Sequence, residues 1–135
     1  MITAPIDVMG GQTLVRELST TGAGAAAWTQ ILCTPASGMR EIVLLAYMYH
    51  NDTAAAHACQ WTWHDRDDNE ISLYQTSQSN NIWHWLHSSA GVGTNPSIWL
   101  HFPVQDFTSY LIAECYDLPA AKTLKAKLLV MELTK

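Results

Sequence analysis

Apolar and polar residues along this chain alternate in short runs separated by turn formers. Gln12 to Ser19 alternates weakly and predicts a first strand. Gly22-Ala-Gly-Ala-Ala-Ala27 reads as a small-residue connector. Trp28 to Thr34 is rich in β-formers and ends at Pro35-Ala-Ser-Gly38. Proline fixes φ and glycine permits positive φ, so this stretch predicts a turn. Glu41 to His50 carries the continuous apolar run Ile-Val-Leu-Leu-Ala-Tyr-Met-Tyr. Apolar on both faces, it predicts a central strand covered on both sides. Asn51-Asp-Thr53 ends it. In Cys59-Gln-Trp-Thr-Trp-His64, Cys59, Trp61 and Trp63 point one way, while Gln60, Thr62 and His64 point the other.

Arg66 to Asn69 is a polar hairpin turn, and Glu70 to Gln75 returns as the partner strand. Ile82 to His87 predicts another strand, followed by a loop from Ser88 to Pro96. Ile98, Leu100 and Phe102 alternate with Trp99 and His101, predicting a strand that Pro103 stops. Tyr110 to Tyr116 and Leu124 to Leu133 complete the set. Short strands at near-regular spacing predict an all-β fold, an antiparallel β-sandwich or jelly roll of about eight strands. Thr53 to Ala58 and Ala120 to Lys125 are the two candidates for short helices. The expected organisation is an extended N-terminal arm over residues 1–11 and a single domain over 12–135, with no internal repeat.

Composition sharpens this picture. Apolar residues make up 48% of the 135 and charged residues 14%, which excludes the disordered class. So little charge leaves thin polar cover and predicts apolar surface hidden against a partner. The net charge is −5 and no basic run occurs, so neither nucleic acid nor an anionic membrane is an expected partner. No targeting segment is expected, since the start lacks a charged stretch followed by a long apolar one. Cys33, Cys59 and Cys115 sit in apolar, strand-like runs and are expected to be buried free thiols, which points to a reducing cytosol for synthesis and folding.

Candidate chemistry is sparse. The chain has six tryptophans. Trp61 with Trp63, and Trp83 with Trp85, share a face and form a possible platform for sugar rings, weighed against packing in a core or subunit interface. The six histidines contain no HExxH, and His84 and His87 lie on opposite faces of a strand. A cross-strand metal site would draw on His64, His84 and His101, but scattered strand histidines are the preferred reading. Asp65 to Glu70 resembles a fragment of a calcium loop, yet lacks its glycine and distal glutamate, so it reads as a solvated turn. No nucleophile elbow and no GxGxxG occur. No enzymatic activity, catalytic residue, metal or cofactor is expected. The candidate interface consists of Ile2, Ile6 and Val8 in the arm, with Trp99 and His101 as an outward row.

One resemblance adds to this. The Gly/Ala-rich lead-in, Trp28-Thr-Gln-Ile-Leu32, the Thr34-Pro-Ala-Ser-Gly38 turn, the long apolar strand and Asn51-Asp-Thr53 resemble small accessory proteins of tailed-phage virions, such as capsid decoration proteins. The resemblance covers the first half of the chain well and the rest loosely. It implies a β-sandwich or jelly roll that oligomerises, often as a trimer, and binds a major capsid or other virion protein. The implied location is the virion, after synthesis in the host cytoplasm. The other function considered is a carbohydrate-binding jelly-roll module that uses the strand tryptophans.

Overall fold

The computed structural model describes residues 12–78, 84–87 and 104–133. These contain β1 (Gln12–Thr21), β2 (Trp28–Leu32), β3 (Arg40–His50), β4 (His57–His64), β5 (Glu70–Gln78), β6 (His84–His87), β7 (Val104–Gln105), β8 (Tyr110–Tyr116) and β9 (Thr123–Leu133). They assemble into two antiparallel sheets. One runs β1-β9-β3-β6, with the two-residue β7 also on β3, and the other runs β2-β8-β4-β5. The strand expected over 98–102, its preceding loop and the arm over 1–11 lie outside the described residues.

The inner faces of both sheets share one core. Leu124, Ala126, Leu128 and Val130 of β9, with Val43, Ala46 and Met48 of β3, meet Ile31, Cys59, Trp61, Leu111, Ala113 and Cys115 of the other sheet. A bulge sets which residues of β3 belong there. Its register against β9 shifts between Val43 and Leu45, so Leu44 is the extra residue. Glu41 and Val43 therefore face inward before the bulge, and Ala46, Met48 and His50 after it. Simple alternation over an unbroken apolar run does not reveal that switch. The outer face of β3 is half-buried, so the expected cover on both sides is unequal.

Neither helix candidate is helical. Ala54, Ala55 and Ala56 form an exposed connection between β3 and β4, anchored where the Ala54 N–H donates to Asp52 Oδ1 at 3.0 Å. Thr123 opens β9, and Leu124 and Ala126 are buried on its inner face. Alanine's helix propensity is worth only tenths of a kcal/mol, and so short a helix is marginal alone. Burial on a sheet outweighs it. The turns follow their residues more closely. Gly38 takes φ +78° after Pro35-Ala-Ser. In the β4–β5 hairpin Asp68 takes φ +66°, and Asp65 Oδ1 accepts the Asp67 and Asn69 N–H groups at 2.9 Å each.

Candidate interaction surface

Among the described residues, four polar groupings and two outer faces are the places where chemistry or contact is concentrated. The first grouping ties the sheets together at one end. Glu41 and Gln105 are buried, and Arg16 of β1 reaches in to meet them. Its guanidinium pairs with both oxygens of the Glu41 carboxylate and donates to the Cys33 carbonyl at 3.0 Å. Gln105 Nε2 donates to the same carbonyl at 2.8 Å, and Gln105 Oε1 accepts the Leu111 N–H at 3.0 Å. Each charge is answered from within the fold, so the grouping is structural.

The second lies at the opposite ends of β3 and β4. Asp52 Oδ2 stands 2.7 Å from His57 Nε2, and His57 Nδ1 is 3.1 Å from the Tyr116 carbonyl. Both ring nitrogens face oxygen acceptors, so both bonds form together when the ring carries two protons. The hydrogen bond from His57 holds the Asp52 carboxyl below its ordinary range. The His50 ring packs edge-on against that of His57 at 5.0 Å. All three residues are buried.

The third and fourth lie on the outer face of the β2-β8-β4-β5 sheet. Glu114 accepts from Gln30 Nε2 at 2.7 Å, Gln60 Nε2 at 3.1 Å and Thr62 Oγ1 at 3.2 Å. On one side of it Trp28 and Tyr116 pack with ring centroids 5.2 Å apart, each 37% exposed. On the other, His64 stacks on Tyr110 at 4.7 Å and bonds Asp68 Oδ1 at 2.7 Å, and that bond raises its pKa.

The outer face of the five-stranded sheet is more apolar. Register sets Val15, Leu129 and Leu45 in one row across β1, β9 and β3. Thr13, Met131, Ile42 and Val104 form the next row. Val15 is 60% exposed and Val104 45%, while Leu129, Leu45 and Ile42 are half-buried and Met131 is buried. Beyond them the face turns polar, where Glu17 lies between Lys125 and Lys127 at 3.8 and 3.5 Å.

The residues singled out from sequence fare unevenly. Ile2, Ile6, Val8, Trp99 and His101 lie outside the described residues, as does Trp83. Trp61 is fully buried and Trp63 packs against the core, so that pair offers no open platform for a sugar. Of His64, His84 and His101, only His64 has a described side chain. Among the described residues no three His, Cys, Asp or Glu side chains are grouped to hold a metal. The Asp65 carboxylate is spent on its own turn. The three cysteines are buried and unpaired, and burial pushes the Cys33 thiol up to about 12, which makes it inert. Alternation alone marks neither Val15 nor the Phe107 tip of the β7–β8 turn as exposed, although Phe107 is 65% exposed. Glu114 had a visible signal as the single charge in the run Tyr110 to Tyr116.

No protein-family model matches this chain, and no curated protein matches it.

Proposed function

We propose that this chain is a non-enzymatic structural protein of a virus particle, a capsid decoration or head/tail accessory protein that stabilises the assembled shell. The strand pairing supports a jelly roll as the finer description of the fold. β1 pairs with β9, β2 with β8, β3 with β6 and β4 with β5, outermost with outermost. The β3–β9 and β4–β8 ladders then join these pairs as a rolled antiparallel ribbon would. Jelly rolls occur in viral capsid and lectin domains, so the fold by itself does not choose between them.

The observation that carries the choice is the apolar outer face around Val15, Leu129, Leu45, Ile42 and Val104. A face of that kind on a protein with 14% charged residues fits association with other chains. The partners would be further copies of this chain and a major capsid or other virion protein. The test is density-gradient fractionation of virus particles from cells carrying this sequence, probed with an antibody to the chain. The chain should band with the particles at a fixed ratio to the major capsid protein. Recovery only in the soluble fraction would overturn the reading.

A second reading keeps one observation of its own. The Trp28–Tyr116 pair, beside the exposed Gln30, presents flat apolar rings next to an amide, which suits stacking of a sugar ring. Glycan-array binding abolished by Trp28→Ala would favour it. An array with no bound glycan would remove it.

A further inference from the structure

We propose that the β1 edge pairs with the β1 edge of a second copy, antiparallel, about a two-fold axis through Val15. The inference deepens the assembly reading above and rests on it for the identity of the partner. Among the described residues β1 has a strand neighbour on one side only, β9. Its ladder to β9 runs from Gln12 to Thr21 without a register shift, and its sequence holds no proline. Natural sheet edges are usually blunted by bulges, prolines or short length, because their free N–H and C=O groups recruit other strands. β1 carries none of these three, and its two charged side chains are already engaged within the chain, Arg16 with Glu41 and Glu17 with Lys125 and Lys127.

Charge and side-chain pattern choose the occupant and the register. An axis perpendicular to the sheet keeps the two inner faces on the same side and places one residue opposite its own copy. Centring on Arg16 sets two guanidiniums opposite each other, and centring on Glu17 sets two carboxylates opposite, both unfavourable. Centring on Leu18 or Leu14 leaves the exposed Val15 facing Thr21 or Thr13, and centring on any remaining residue of β1 sets its partner position beyond the strand. Centring on Val15 avoids like charges, with Thr13 opposite Glu17 and Leu14 opposite Arg16. It also joins the apolar row of Val15, Leu129 and Leu45 to the same row of the second copy. The result is one continuous sheet across two chains, with an unbroken apolar band on its outer face.

Sedimentation equilibrium of the full chain tests this, together with Val15→Lys, Val15→Cys and Ser19→Cys. The unaltered chain should show twice the mass of one chain, or an even multiple. Val15→Lys sets two ammonium groups opposite each other and should halve that mass with an unchanged circular dichroism spectrum. Under mild oxidation by oxygen, Val15→Cys should cross-link to a covalent dimer and Ser19→Cys should not. A monomeric or trimeric unaltered chain would overturn the pairing, as would cross-linking through Cys at position 19 in place of 15. If Val15→Lys fails to fold, the cross-linking pair still decides. Because particle banding is measured separately, loss of the β1 pairing and loss of the virion reading are distinguishable.

Discussion

At the scale of single residues, the buried polar side chains are tied to named partners in both sheets. Arg16 is the clearest case. Among the described residues its guanidinium supplies the one counter-charge to the buried Glu41 carboxylate. Removing one partner of such a pair leaves an unanswered charge in low dielectric, at about 3–5 kcal/mol. Arg16→Met should lower the urea midpoint accordingly, and Glu41→Gln in the same chain should restore part of the loss. Additive losses in that double variant would refute the pairing. Asp52 gives a pH signature. Its folded pKa is depressed, chiefly by the His57 hydrogen bond. Its contribution to stability is therefore complete above the ordinary aspartate value of about 3.9 and is lost as pH falls through the lower folded value. Urea unfolding between pH 6 and pH 3 should show a constant gap between Asp52→Asn and the unaltered chain down to about pH 4 and a narrowing gap below it. Parallel curves would sink this account.

At the scale of elements, turns meet where their backbones allow it. The Gly22 N–H donates to the Lys122 carbonyl at 2.8 Å, and Gly24 N–H to the Leu118 carbonyl at 2.9 Å. A Cβ at Gly22 would collide with the carbonyl oxygens of Leu118 and Pro119, which are backbone and cannot swing aside. Gly22→Ala should cost about 1–3 kcal/mol, by analogy with overpacking, and thermal unfolding would measure it. Gly24→Ser meets no such neighbour but keeps a φ of +98°, so it is strained for a different reason. The elements also show how much of the fold was legible. Cys59 to His64 alternates cleanly, and the structure puts Cys59, Trp61 and Trp63 on the core side as that pattern requires. Tyr110 to Tyr116 matches β8 residue for residue. The alanine runs misled because their local preference for helix is weak beside the burial available on a sheet. The bulge at Leu44 was invisible because an apolar run reads the same with or without one extra residue.

At the scale of the molecule, both sheets draw on a single core, so neither has an apolar interior of its own. Unfolding should therefore be one cooperative event. Tryptophan fluorescence, to which the buried Trp61 contributes, and far-ultraviolet circular dichroism should give coincident urea transitions. Separated midpoints would mean that the sheets melt independently. The alternation of short apolar runs and turn formers was enough to determine an all-β chain, most of its strand positions and the burial of its cysteines, because strand periodicity is a local property. The strand order, the meeting of Arg16 with Glu41 and Gln105, the Asp52–His57 pair and the row that joins Val15 to Leu129 and Leu45 were decided only by tertiary structure. Each depends on which strands become neighbours, and residues far apart in sequence leave no local trace of that choice.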